Sequence, residues 1–312
     1  MGTRRIRTEN GDLTLFFRKV SPFSNHHPAD FECDNAINIE ESMKFSCTEQ
    51  YYMFNKASLV NDRELMSAVL KADTPRAMKS MCSRGNLRSW SDQKWDEHKE
   101  SVMYTGCLAK FRSCPHLRFA LFLSTGSRLI ECSPFDAVWG IGKDMKTVER
   151  TGVRVGGTNL LGKVLDRIRE ELWADSEFQN ERAYVEKRVE ADENYLLKAV
   201  KQVDLMYKER ARIRYEITRR RHCYPEDYLS NEMRDLIPEW ALPPAISLNE
   251  TIRASPPQIT NFEATPPHPR ARSATPPSIP LNKSRLWGRL TISEGRLMRK
   301  RQRSRSPFTY EK

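Results

Sequence analysis

Apolar residues near the start of the chain fall in short runs with a two-residue rhythm. "LTLFFRKV" at 13–20 and the runs around Phe31, Ile37 to Ile39 and Phe45 read as strands, with turn chemistry in "SPFSNHHPAD" and "DN" between them. The pattern predicts a small N-terminal sheet behind a flexible stretch over 1–12. Helical spacing then takes over in "NDRELMSAVLKA", in "TPRAMKSM" with Thr74 as cap and Pro75 at the first helical position, and in "SDQKWDEHKESVMYTGCLAKF" with Ser91 as cap. "HLRFALFLST" continues as a helix, "RLIECS" as a buried strand, and "WGIGKDMKTVERTGVRVGGTN" as a Gly-rich loop. In "LLGKVLDRIREELW", Leu161, Leu165, Ile168 and Leu172 repeat at helical spacing, and the folded body is expected to end near Trp173. From 178 to 221, Val185, Val189, Leu196, Val200, Val203, Ile213 and Ile217 recur at threes and fours. That spacing describes one long amphipathic helix, packed on the body or held for a protein partner.

Composition changes this picture only at the C-terminal end. Beyond "PPAISL" the chain turns to Pro, Ser, Thr and Arg ("ASPPQ", "ATPPHPR", "ATPPS", "RLMRKRQRSRSPF"), too poor in apolar surface to offset the entropy of ordering. The expected organisation is a flexible 1–12, a folded domain over 13–174, a helical extension over 175–242 and a disordered tail over 243–312. The formal net charge is +11, and within 281–312 ten basic residues face two acidic ones, so +8 belongs to the tail. Arg299, Lys300, Arg301, Arg303 and Arg305 suit nuclear import, phosphate contacts on nucleic acid, or simple solvation. Ser255, Thr265, Thr275 and Ser306 each precede proline, as phosphorylation sites often do.

The basic N-terminus leads into no apolar core of a signal peptide, and no run approaches the roughly 18 apolar residues of a membrane span. The expectation is a nuclear or cytoplasmic protein with no membrane partner. Seven cysteines without a CxxC pair, and six histidines without zinc spacing, argue against a metal site.

Four stretches carry candidate chemistry. In "CTEQYYMFNKA" (47–57), a helix capped by Thr48 would set Glu49 and Lys56 about 10 Å apart on one face, with Tyr52 and Met53 between them. Alone, that pattern is more often a charged rim over a core stripe. Phe23, Ser24 and Asn25 place an aromatic face beside hydroxyl and amide groups, which suits a ribose or base but is more often a self-bonded turn. Asp136 and Trp139 precede Gly140 and Gly142, setting a carboxylate and a stacking surface where backbone can approach a ligand, or equally a buried Trp beside a tight turn. "GGTNLLG" puts Gly157 and Asn159 at a helix mouth, where N–H groups can face an anion, although helix capping alone would explain Thr158 or Asn159.

Together and in this order these stretches resemble the NADAR (YbiA-like) family over residues 13–173. The resemblance is carried by "FSN", "TEQYYMFNKA", "TPRAMKSMCSRG", "WDEHKESVMYTGCLAKF", "LSTGSRLIE", "DAVWGIG" and "GTNLLGKVLDRIR". It implies an α+β fold, mostly helical with a small N-terminal sheet, a ligand cleft and N-glycosidase activity without a cofactor. The implied substrates are ADP-ribose on guanine bases of nucleic acid and phosphoribosylamino-pyrimidine intermediates of riboflavin synthesis. A non-catalytic ADP-ribose or nucleotide reader, or a partner-binding scaffold, is the alternative. Cutting a ribose C1'–N bond builds positive charge on the sugar, so the site needs a carboxylate or nucleophile, help for the departing base and a phosphate holder. By resemblance Glu49, Lys56 and Asp136 are the catalytic candidates, with Lys56 either nucleophile or counter-ion of Glu49. Tyr52, Trp95, Trp139 and Phe23 form the aromatic wall, and Lys56 is expected between Tyr52 and Trp139. Ser24 and Asn25 face ribose or base, Gly140 lets the ligand approach, and Arg84, Gly157 and Asn159 take phosphate. Two departures stand out: Gln50 replaces the usual His, and the segment between Trp139 and Asn159 is longer than in short bacterial members.

Overall fold

The computed structural model describes residues 2–37, 42–153, 156–219 and 229–246. Among the described residues, five strands form two small sheets. β1 (Thr3–Ile6) runs antiparallel to β2 (Asp12–Phe16), which pairs in parallel with β5 (Ser127–Glu131). β3 (Phe31–Cys33) and β4 (Met43–Phe45) make a separate antiparallel pair. Helices α1 (Thr48–Leu59), α2 (Arg63–Lys71), α3 (Pro75–Met81), α4 (Asp92–Ser113) and α5 (Pro115–Phe122) lie between β4 and β5; α6 (Met145–Thr151) and α7 (Leu160–Ala174) follow. The result is the expected mostly helical α+β domain.

β1 corrects the expectation of a flexible start. Its inward residues, Thr3 and Arg5, are polar, so no apolar alternation announced a strand. They are satisfied instead by hydrogen bonds: Thr3 N–H donates to Asp204 at 2.8 Å, and Arg5 to Asp12 at 2.9 Å and to the carbonyl of Thr125 at 2.7 Å. Of the run at Ile37 to Ile39, Ile37 lies outside any strand and the rest falls outside the described residues.

Two further differences have local causes. The loop after Trp139 contains α6, begun by Asp144, whose carboxylate accepts the N–H of Thr147. The extension is two helices, α8 (Gln179–Ala191) and α9 (Tyr195–Thr218), not one. The break is "DEN" at 192–194: Asp192 accepts the N–H of Asn194 and the ammonium of Lys198, drawing the backbone out of the helix. α10 (Asn231–Leu236) follows, and a 3-10 turn at Glu239–Ala241 is the last described element.

The extension completes the body. Val185, Tyr195, Ala199, Val200, Val203 and Ile213 are buried in one core with α1, α4, α5 and α7. Of the two expectations for this apolar face, packing on the body or a protein partner, the described residues show the first, and the core runs past Trp173. Of the expected tail, only 243–246 are described; its phosphorylation and basic motifs lie outside the described residues. No described helix is long and apolar enough to cross a membrane.

Candidate active site

α1 begins at Thr48, with Cys47 as an extended N-cap that makes no side-chain cap bond. Thr48 is therefore the first helical residue and not the cap, and its hydroxyl is buried without a partner. The missing capping is replaced from outside: the N–H of Glu49 donates to the carbonyl of Asn25 at 3.0 Å. The loop carrying Asn25 is held in turn by Lys110, which is 1% exposed and donates to the carbonyls of Pro22 at 2.6 Å and Ser24 at 3.1 Å. Burial lowers the Lys110 ammonium to about 8.

Glu49 is 5% exposed, and His26 Nε2 stands 3.6 Å from its carboxylate. One turn on, Tyr52 is enclosed edge-on by Trp95, centroids 4.9 Å apart, and by Trp139 at 5.6 Å. Burial pushes its phenol pKa up, and the charges of Glu49 and Asp136 add to that shift. Lys56 lies 4.8 Å above the Trp90 ring and 5.9 Å from that of Trp95, and donates to the carbonyl of Cys82 at 3.3 Å. Its slot is therefore walled by Trp90 and Trp95, where Tyr52 and Trp139 were expected. Burial lowers its pKa, opposed by Cys82 and Glu49; among the described residues no acid lies within ion-pair distance of it.

The opposite wall comes from the turn after β5. Asp136 Oδ1 accepts the N–H groups of Val138 at 2.9 Å and Trp139 at 2.8 Å, fixing the indole that covers Tyr52. Gly140 lies where a Cβ would press the carbonyls of Asp136 and Glu131 at 2.9 and 3.0 Å, so its lack of a side chain serves this turn. At the end of β5 stands Glu131, which sequence reasoning passed over. Its Oε2 is buried without a hydrogen bond, and its pKa is raised to about 7, first by burial, then by the charges of Asp136 and Glu49. The only sequence signal was its position at the end of "LSTGSRLIE". His26 was missed similarly, one residue beyond "FSN".

The structure thus brings Glu49, Tyr52, Lys56, Trp95, Asp136 and Trp139 together, with Asn25 entering through its backbone. It separates others from any ligand. Phe23 is 2% exposed and packs in the core against Phe16 and Phe111, so it offers no free face. Ser24 is buried, and its hydroxyl accepts the N–H of His26 in a self-bonded turn. The helix mouth is occupied: the N–H groups of Gly157, Thr158, Asn159, Leu160 and Leu161 donate to carbonyls of Ile141, Ala137, Gly140, Val138 and Trp139, respectively. The Asn159 side chain bridges β5, accepting from Glu131 N–H and donating to the carbonyl of Leu129. A Cβ on Gly157 would lie 2.2 Å from the carbonyl oxygen of Ala137. These donors brace the Trp139 turn and leave no anion hole there. Arg84 is exposed and paired with Asp92 at 2.9 Å, at the Lys56 end of the group.

Both departures from the family pattern are structural in their contacts. Gln50 accepts from Ser46 N–H and donates to the carbonyls of Val69 and Leu70, tying α1 to α2 away from Glu49. α6 packs Met145 and Val148 on Leu13, Leu15 and Ile130, forming a second small core on the sheet. Among the described residues no three His, Cys, Asp or Glu side chains are placed to hold a metal ion.

Comparison with known proteins fits this arrangement. The family model described as the NADAR domain matches residues 15–173. The chain is 37% identical over 183 residues to Protein irg-1 of Caenorhabditis elegans, covering 55% of this chain and 85% of that protein. It is 33% identical over 153 residues to N-glycosidase R617 of Acanthamoeba polyphaga mimivirus, covering 49% and 88%. It is also 24% identical over 159 residues to the chloroplastic riboflavin biosynthesis protein PYRR of Arabidopsis thaliana, covering 50% of this chain and 22% of that one. The chain belongs to the NADAR family.

Proposed function

We propose that this NADAR-family chain is an N-glycosidase that hydrolyses the bond between ribose C1' and a base nitrogen, with ADP-ribosylated guanine of nucleic acid as its substrate. The observation that carries this reading is the group at the end of β5 and the start of α1. Glu131, a carboxyl group near neutrality, feels the charges of Asp136 and Glu49, and Glu49 in turn opposes the burial-driven lowering of the Lys56 amine. The mimivirus relative's name supports the same reaction type.

The residues divide the work as follows. Glu131, protonated up to about pH 7, donates its proton to the departing base nitrogen. Glu49 stabilises the positive charge that develops on the sugar as the C1'–N bond lengthens. The unprotonated form of Lys56, which burial favours, bonds through Nζ to C1' as that bond breaks, the bonding electrons leaving with the base. The ammonium so formed returns one proton to the Glu131 carboxylate; the C1'–O4' bond then breaks as the remaining N–H proton passes to O4', leaving a Schiff base on Lys56 and a 4'-hydroxyl on the opened sugar. Water then hydrolyses the Schiff base, freeing the lysine and the ribosyl product. Tyr52, Trp95 and Trp139 exclude water and fix the sugar, Asp136 sets the Trp139 indole, and Arg84 meets phosphate at the rim.

For the substrate, two features favour nucleic acid. Phe135, beside Asp136, is 94% exposed, a ring standing in solvent where a base flanking the modified one can stack. The basic tail read from the sequence adds salt-sensitive affinity for phosphates. The match to the riboflavin protein supports the second reading, a phosphoribosylamino-pyrimidine. Incubating the full chain with each substrate and identifying released bases by mass spectrometry separates them. Guanine from ADP-ribosylated DNA is expected. Release from the pyrimidine alone would replace the proposed substrate, and release from neither would leave a nucleotide reader.

A further inference from the structure

From the end of α2 to the first turn of α4 the chain is basic: Lys71, Arg76, Lys79, Arg84, Arg88 and Lys94 face only Asp73 and Asp92. Two of these cations, Lys79 and Arg84, act on the reaction group. Burial is the main cause of the lowered Lys56 amine, and the charges of Lys79 and Arg84 add to it. Lys79 also acts on Glu131, where with His26 it opposes the rise that burial, Asp136 and Glu49 produce. It therefore stands within electrostatic reach of both the amine and the acid.

The two cations differ in what they already hold. Arg84 pairs with Asp92 at 2.9 Å, and Asp92 also accepts the indole N–H of Trp90 at 2.9 Å. That chain steadies the ring over which Lys56 lies, so the Arg84 charge is met within the protein. Lys79 is exposed and forms no hydrogen bond or ion pair among the described residues. Its backbone is nonetheless fixed. Met78 and Cys82, each 1% exposed, anchor α3 on either side of it. The Cys82 thiol donates to the carbonyl of Met53 at 3.4 Å, and the Cys82 carbonyl accepts from Lys56 at 3.3 Å. A ribose whose C1' meets Lys56 carries its 5'-phosphate only a few bonds away, where Glu49 and Asp136 would repel it unless a cation intervened. An unpaired ammonium on a fixed backbone beside that amine is suited to receive it.

We propose, resting on the glycosidase reading above, that Lys79 carries the main contact to the phosphate on the 5' carbon of the ribose being cut, with Arg84 secondary. Isothermal titration of the full chain with ADP-ribose and, separately, with unmodified DNA is the measurement, beside turnover of ADP-ribosylated DNA. Lys79→Gln is expected to lower ADP-ribose affinity about tenfold with an unchanged melting temperature, and to raise KM about tenfold while kcat changes less than about threefold. Lys79→Arg, which keeps the charge, should hold affinity within about threefold of wild type. Arg76→Gln, which removes an exposed cation from the same helix, should leave it within about twofold. Equal ADP-ribose affinity in wild type and Lys79→Gln overturns the proposal. So does an equal loss in Arg76→Gln, which would mark diffuse charge and no site, or a loss confined to unmodified DNA, which would put Lys79 on backbone phosphates. No ADP-ribose binding at millimolar concentration overturns it as well. ADP-ribose affinity that depends on Lys79, with no base released by any variant, would support the phosphate contact and defeat the glycosidase reading.

Discussion

A carboxyl group that ionises near pH 7 is matched to proton donation at neutral pH, and Glu131 is the residue in the reaction group with that property. The expected consequence is an activity that falls as pH rises through about 7, because the acid form is lost. Glu131→Gln should lower kcat by roughly 10² to 10⁴ and flatten that limb of the profile. Stability follows with a definite sign. Between about 4.5 and 7 the folded protein holds a proton that the unfolded chain has released, so stability falls as pH rises through that window. Glu131→Gln removes this dependence, and chemical denaturation at pH 5 and 7.5 measures it. Lys110 has the opposite sign. Its depressed value means the unfolded chain binds more protons between about 8 and 10.5, so its contribution to stability rises with pH there. Buried cysteines titrate in the same range with the contrary sign, so the quantity to compare is wild type against Lys110→Met. Lys110→Met should also lose activity, because the carbonyls of Pro22 and Ser24 lose the ammonium that holds the loop under Glu49.

At the scale of elements, the reaction group rests on three supports: the start of α1, the end of β5 and the turn after it. α1 owes its register to a distant loop, since the Asn25 carbonyl takes the Glu49 N–H where no side chain caps the helix. This is why Thr48 misled as a cap, and why "FSN" mattered through backbone and packing and not through a stacking Phe23. Glycine-rich sequence before α7 misled in the same way. Its donors are consumed by a backbone-to-backbone seam with residues 137–141, a long-range contact that one-dimensional spacing does not reveal. Periodicity placed Glu49 and Lys56 on one face of α1 and only the family resemblance made them candidates, whereas Trp90 was legible from neither, because the loop after α3 brings it over the amine. The extension tests this level of the account. Ending the chain at 174 would strip Val185, Val200, Val203 and Ile213 from the core and leave Thr3 without Asp204. The truncated chain is expected to melt at least about 10 °C lower or fail to fold, since burying one such side chain is worth about 1.5–3 kcal/mol. A melting temperature equal to that of the intact chain would show that the extension is accessory.

Across the whole molecule, the order of strands and helices and the family membership were legible because apolar periodicity and motif order survive in the sequence. The polar strand β1 and the merging of extension with body were not, because they depend on hydrogen bonds and apolar packing between residues far apart in sequence, and the broken extension was not, because the local Asp192 contacts interrupt a continuing apolar period. Removal of 247–312, which leaves every described residue in place, should preserve the melting temperature. Binding of ADP-ribosylated DNA should then weaken most at low salt, where phosphate contacts count most. The central claim is that the group around Glu49 cuts a C1'–N bond, and base release by Glu49→Gln tests it most directly. Guanine release from ADP-ribosylated DNA should fall by roughly 10² or more with substrate binding retained. Release at the wild-type rate would make Glu49 a structural residue and contradict the account.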